Sequence, residues 1–417
     1  MFRSIAPPSG SARNGKQLWS IVALVVLVMI GNGMVVPMMA IYARDFDVSA
    51  MLVGLMVSLF GVGRLVANLP AGVASERLGR KPLLCLGTAI VAVGAFGAAL
   101  AEGFVPLLIW RFVQGVGAGV YMTVSATVLV QVSRSGERGR IMSLYQGGLL
   151  LGAGIGPGIG GLLVARWGYA APFWAFGLAA VAALLVALLI FEEPSAEPPR
   201  TQAPGGGDHA TGAPPSLRRL LFEPVFLCLS LVNFGVFFTR TASQWVAIPL
   251  IAVGAFDMTL EVIGAALTSI AVANFVVLPV VGATIDRIGP RTVTIWSTAG
   301  TAVAVAMIAS AGHVGVFWAA LVLMGIAAAF SGPAVAAALA DRMPPGLQGP
   351  AMGVQRVVGD AGFVLGPLFF GLVQDATAFG AEGAMWASAV LMAAASALLA
   401  LGARGAPRRK NIPDGRS

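Results

Sequence analysis

Apolar residues gather into long runs along this chain, separated by short clusters of charge, proline and glycine. The runs cover roughly 17–43, 51–73, 82–101, 104–132, 141–165 and 169–191, then 224–253, 260–283, 292–311, 314–340, 350–373 and 381–402. Each is about as long as the ~20 residues an α-helix needs to cross a bilayer. A backbone in lipid must satisfy its own N–H and C=O groups, so each run is expected to be helical. The pattern predicts an all-α integral membrane protein of twelve spans. The first run is too long for a cleaved signal peptide and lacks a small-residue cleavage site before the next span. Residues 192–223 include the Pro/Gly-rich, polar stretch "EEPSAEPPRTQAPGGGDHATGAPPS", which cannot bury a core and reads as a flexible linker. The chain therefore divides into a six-helix half (1–191), a cytoplasmic linker (192–223), a second six-helix half (224–402) and a basic tail (403–417).

Composition names the solvent. Of 417 residues 58% are hydrophobic and only 11% charged, with a mean hydropathy of +0.87. No soluble fold of this size hides that much apolar surface. The loops on the side of the N-terminus carry 20 Lys and Arg residues and those on the other side only Arg44 and Arg166. The positive-inside bias places both termini in the cytoplasm. It also accounts for the net charge of +8 without any nucleic-acid partner. Cys85 and Cys228 fall inside apolar runs and read as inert buried thiols. The two histidines lie in loops; His209, in the linker, reads as solvated. There is no phosphate-cradling G-x-x-x-x-G-K-[ST] and no His/Cys cluster, so an enzyme, an ATP-driven pump, a metal site and a cofactor are not expected.

The halves are repeats. "GVASERLGRK" at 72–81 matches "GATIDRIGPR" at 282–291, Gly115 matches Gly325, and Gly156-Pro157 matches Gly366-Pro367, each 210 positions apart. With six spans per half, the repeats are parallel and relate by an axis along the membrane normal. On these residues the chain resembles a major facilitator superfamily transporter. "GVASERLGRK" fits the loop motif between spans 2 and 3, with Glu76 where Asp is commoner. "RFVQGVGAG" at 111–119 fits the span 4 motif. "GAGIGPGIGG" at 152–161 is similar to the span 5 motif of the drug:proton antiporter branch. The resemblance implies two six-helix repeats around a central cavity, working as a monomer by alternating access on a small-molecule substrate with protons as the coupling ion.

Each motif has a physical reading. In the first, glycine (Gly72, Gly79) lets a helix end approach its neighbour closely. Glu76 can face a helix N-terminus or pair with Arg77 or Arg80, and Lys81 can anchor at headgroups. Asp286 and Arg287 repeat the pair in the second half, where Pro290 replaces one base. A conformational latch and a simple topology signal both fit. In span 5, Gly152, Gly156 and Gly160 recur every fourth residue and share one helix face, widened by Gly154, Gly158 and Gly161. Small residues let membrane helices pack backbone to backbone, and Pro157 bends the helix. This face is expected against span 8, as a moving seam or as static packing; the resemblance implies a role in limiting leak and favouring export.

Charges inside spans are costly and are functional candidates by default. They are Arg64, Arg111, Arg240, Arg356 and one deep acid, Asp360. Arg356 stands one turn before Asp360 and is expected to pair with it, as a proton site or a static tie. Arg111 matches the span 4 motif arginine and has no acid in its own span. Burial and a nearby guanidinium act in opposite senses on a carboxylate's hold on its proton, which makes Asp360 the proton-carrying candidate with Arg356 and Arg111 beside it. Spans 1, 4, 7 and 10 line the cavity in this fold, which nominates Asn32, Gln114, Tyr121, Asn233, Arg240, Gln244 and Trp245; each serves equally well as glue between helices. Span 10, "GIAAAFSGPAVAAALA", is almost wholly small and apolar. Such a cavity suits an amphiphile better than a sugar. The expected function is proton-coupled efflux of small amphiphilic compounds, with a sugar or metabolite carrier or facilitator as the alternative, and a non-transporting sensor or scaffold behind both.

Overall fold

The computed structural model describes residues 12–42, 46–132, 138–193, 222–341, 343, 348–377 and 380–401. It contains twelve helices long and apolar enough to cross a membrane. They are α1 (Ala12–Tyr42), α2 (Ala50–Leu78), α3 (Arg80–Ala99), α4 (Phe104–Val132), α5 (Arg138–Trp167), α6 (Ala170–Ile190), α7 (Pro224–Phe256), α8 (Leu260–Ile288), α9 (Pro290–Ala309), α10 (Val314–Ala340), α11 (Gln348–Ala376) and α12 (Gly380–Leu401). The linker between 194 and 221 and the tail after 401 lie outside the described residues, as do Arg44 and His209.

Several helices outrun the apolar runs. α2 continues through "GVASER" to Leu78 and turns on Gly79 alone, at φ +86°; α8 ends the same way on Gly289, at φ +91°. Twenty-nine residues make a rod of about 43 Å, longer than the ~30 Å hydrocarbon core, so the charged turn projects into the headgroups. Only glycine enters that backbone region without strain. Gly72 has no tight neighbour: a Cβ there would meet only Thr123 Cγ2 at 3.9 Å, and at Gly282 nothing within 4 Å. The expectation of close approach at Gly72 is therefore corrected; the turn at Gly79 is where this motif needs glycine.

Packing repeats between the halves. In the first, α1 lies on α5 and α6, α2 on α4, and α3 on α4 and α6. In the second, α7 lies on α11 and α12, α8 on α10, and α9 on α10 and α12. The halves meet chiefly along two seams, α2–α11 and α5–α8, with a smaller contact of α1 on α7. Both use the same contacts 210 positions apart. A Cβ on Gly54 would strike Pro367 O at 2.1 Å, and one on Gly264 would strike Pro157 O at 2.5 Å. Gly371 sits on the Ala50 carbonyl and Gly161 on that of Leu260, where added Cβ atoms would lie 2.3 and 2.4 Å from the oxygens. Ser58 Oγ donates to Val364 O at 2.6 Å, while the N–H of Gly158 donates to its counterpart hydroxyl, Thr268 Oγ1, at 3.1 Å. That N–H follows Pro157, where the helix ladder is interrupted.

The glycine face of α5 is corrected in one respect. Gly152, Gly156 and Gly160 face α1 of their own half: added Cβ atoms would meet Met29 Cβ, Gly33 Cα and Met34 O at 2.7, 2.5 and 2.2 Å. The flank of Gly154, Gly158 and Gly161 faces α8. A helix with small residues on two sides binds two neighbours at backbone distance, and a four-residue period alone does not say which neighbour takes which side.

Gly156→Leu is accordingly a stability mutation of the first half. Overpacking costs roughly 1–3 kcal/mol, so purified protein in detergent should melt at a lower temperature. An unchanged melting temperature would contradict the placement of Gly156 against α1.

Candidate functional site

The deep carboxylate lies on the α2–α11 seam, about midway along both helices. The site is built from backbone contacts outward. Gly115 and Gly119 of α4 would place Cβ atoms 2.1 Å from Phe60 O and 2.6 Å from Arg64 O, so the span 4 motif clamps α2 at the turn carrying Arg64. On the opposite side, Cβ atoms on Gly362 and Gly366 would lie 2.4 Å from Phe234 O and Phe238 O, so these glycines clamp α11 to α7. Two rigid mounts thus present Arg64 and Asp360 to each other across the halves.

Arg64 Nη2 donates to Asp360 Oδ1 at 2.5 Å, with 10% and 7% of the two side chains exposed. The guanidinium also lies over the Phe363 ring, 4.2 Å from its centroid, a cation–π contact strengthened by desolvation. Asn68 Nδ2 reaches Asp360 Oδ2 at 3.5 Å, and its amide oxygen accepts from Thr123 Oγ1 at 3.2 Å. The expected Arg356–Asp360 pair is not formed. Asp360 belongs to Arg64, and Arg356 is exposed, with no ion pair among the described residues. A base placed one turn before an acid is the weaker order on a helix, and a partner arriving head-on from α2 wins.

The other nominated residues separate. Arg111 is fully buried. Its Nη1 donates to Gln114 Oε1 at 2.6 Å and its guanidinium covers Phe60 at 4.7 Å, while Nε and Nη2 have no partner. Gln114 donates onward to Gly94 O at 3.0 Å and is buried glue, not cavity lining. Asn233 donates to Gln355 O at 2.7 Å and likewise ties α7 to α11. Tyr121 and Asn32 are buried, with the Tyr121 hydroxyl and Asn32 Oδ1 unpartnered. Arg240, Gln244 and Trp245 are half-buried in α7, where the helix widens into a π turn over Ser243–Ala247; Trp245 meets Phe363 edge-on at 4.9 Å. Wide turns of this kind interrupt a helix where side chains must be re-aimed.

At the first motif, Glu76 and Asp286 are exposed and unpaired among the described residues. Glu193, at the end of α6, does the work expected of Glu76. Its carboxylate accepts from the N–H groups of Arg80 and Lys81 at 2.6 and 2.9 Å, capping α3, where the helix dipole favours an anion. On the far face Asp375 of α11 caps α2 in the same manner, accepting from Ala50 and Met51 at 3.0 and 2.8 Å, but across the halves. Sequence reading passed over Glu193, Asp375 and Asn68, and gave Arg64 no role. The repeat held a signal for Arg64 and Asp360, whose counterparts are Asn274 and Leu150: the ion pair breaks the symmetry of the seams.

Among the described residues, every hydrogen bond and tight glycine contact between halves lies at or beyond the Asn68–Asp360 level toward the far face. On the terminal side of that level no hydrogen bond or tight glycine contact joins the halves among the described residues.

A family model described as "Major Facilitator Superfamily" matches residues 21–242 and again 229–416. The chain belongs to this superfamily. It is 25% identical over 179 residues to the quinolone resistance protein NorA of Staphylococcus aureus, covering 43% of this chain and 46% of that protein. It is 28% identical over 165 residues to an uncharacterized MFS-type transporter of Methanocaldococcus jannaschii, covering 40% and 43%. The matched segment thus spans just under half the length of these curated relatives. The fold is similar to a bacterial homologue of the human lysosomal transporter Spinster, solved inward-facing and unoccupied (TM-score 0.78, 16% identity, 95% of this chain and 98% of that one). It is also similar to a D-xylose–proton symporter (TM-score 0.73, 17% identity, 92% and 96%).

Removing one partner of a buried ion pair costs about 3–5 kcal/mol, while replacing both by apolar groups costs far less. Arg64→Met should therefore lower the melting temperature sharply, and adding Asp360→Leu should restore much of it. Additive losses in the double variant would contradict direct pairing.

Proposed function

We propose that this superfamily member, a multi-pass secondary transporter, is a proton-coupled exporter of small amphiphilic compounds, with both termini in the cytoplasm and Asp360 as the proton-carrying group. One observation carries the reading. The deep carboxylate is shared between halves that must part, so its partner is present in one conformation and lost in the other.

The cycle follows from that geometry. A solute enters between the halves from the terminal face, and its binding supplies the differential affinity that shifts the population toward the other state. As α11 leaves α2, Asp360 loses the Arg64 guanidinium and, in a poorly hydrated setting, takes a proton from the far side. The neutral group crosses back at little electrostatic cost. When the seam re-forms, Arg64 stabilises the carboxylate and the proton leaves toward the terminal face. The glycine contacts of α5 with α8 and of α2 with α11 leave little room for water on the far side, which supports sealing against leak.

The likeness to a quinolone resistance protein supports a drug-like, amphiphilic solute. A sugar would need many hydrogen-bond partners. α10 offers few, and its Ser331 hydroxyl is spent on the Ala327 carbonyl at 3.0 Å.

The test is transport in proteoliposomes of Asp360→Asn with an imposed pH gradient. The expected result is loss of uphill transport with downhill exchange retained. Uphill accumulation by Asp360→Asn at the parent rate would place the proton route elsewhere.

A further inference from the structure

Assigning Asp360 to Arg64 has a consequence for Arg356. That guanidinium is exposed, lies within a span, and has no counter-ion among the described residues. It shares the face of α11 that carries Asp360, Phe363 and Pro367, four, seven and eleven residues on, and all three of these meet α2 of the opposite half. It therefore faces the gap between the halves, on the terminal side of the ion pair, and not the lipid. Tyr121 of α4 is buried and its hydroxyl has no partner. Arg64 keeps its Nε unpartnered as well.

The balance of charge points the same way. Within the spans four guanidiniums stand against one deep carboxylate, and that carboxylate is taken. A cation entering the gap meets excess positive charge and no free acid. An anion meets an unpaired guanidinium, whose planar fork matches a carboxylate.

We propose that the transported compound carries an anionic group, most simply a carboxylate, and that Arg356 binds it at the mouth of the cleft, with the apolar body of the solute lying deeper between the halves. Arg64 remains the partner of Asp360. This rests on the transport reading and adds the sign of the cargo. It also fixes the charge carried per cycle: one monoanion leaving for one proton entering moves two positive charges inward, so an inside-negative membrane potential drives export alongside the pH gradient.

The test measures binding at equilibrium, without any gradient, so that its failure differs from a failure of proton coupling. Purified protein in detergent is titrated with 4-phenylbutyrate, 4-phenylbutylamine and 4-phenylbutanamide, which share one skeleton and differ in charge, with thermal stabilisation as the readout. The carboxylate should stabilise the parent most. Its affinity should fall about tenfold in Arg356→Gln, the loss of one charge-assisted contact, and recover in part in Arg356→Lys. The melting temperature of each variant without ligand controls for damage to the fold. Equal or tighter binding of the amine, no binding of the carboxylate, or unchanged carboxylate binding in Arg356→Gln overturns the proposal.

Discussion

A guanidinium and a carboxylate held in contact between two bodies that must separate is the constraint on which the rest of this molecule turns. Each charge is expensive in lipid surroundings, and each offsets the other only while the seam is closed. Arg64 and Asp360 therefore couple the electrostatics of one buried ion pair to the relative position of the two halves. The Phe363 ring and the Asn68 amide complete the setting. None of this would hold a fixed geometry if α2 and α11 could slide, and the glycines of α4 and α11 prevent that by seating the two helices on carbonyls of their neighbours.

The seams on either side of the ion pair are pseudo-symmetric, and their agreement position by position at one offset shows what the repeat is for. Backbone contact at Gly54, Gly161, Gly264 and Gly371 excludes side chains from the far side. It leaves a surface that can part and re-form without rotamer changes. Polar additions fall on one seam only. The α2–α11 seam carries the Arg64–Asp360 pair and the Asp375 cap, while the matching positions of the other seam, at Asn274, Leu150 and Ala165, have neither. The symmetric part closes the molecule, and the asymmetric part makes closure depend on charge.

The twelve spans, the split into two halves and the parallel repeat were legible because lipid enforces them through length, hydropathy and motif spacing. The depth of Asp360 was legible for the same reason. Its partner was not. A helical period ranks neighbours within one helix, so it nominated Arg356, whereas Arg64 reaches Asp360 through tertiary packing across nearly 300 residues of chain. The same blindness assigned the Gly152, Gly156 and Gly160 face to α8 when it belongs to α1. Amides inside the spans were ambiguous for another reason: Gln114 and Asn233 have the composition of ligands and the bonding of structural ties. The caps from Glu193 and Asp375 sat among ordinary exposed acids, and only their backbone partners distinguish them.

The central claim is that the Arg64–Asp360 pair holds the far side of the molecule shut. It is tested most directly by measuring the distance across that side with spin labels. Leu100 at the end of α3 and Val314 at the start of α10 are exposed and lie in opposite halves; after Cys85 and Cys228 are replaced, cysteines at these two positions carry the labels. The parent should give a single short distance distribution without ligand. Asp360→Asn should add a longer component, as molecules opened on the far face become populated. Identical distributions for the two proteins would contradict the account.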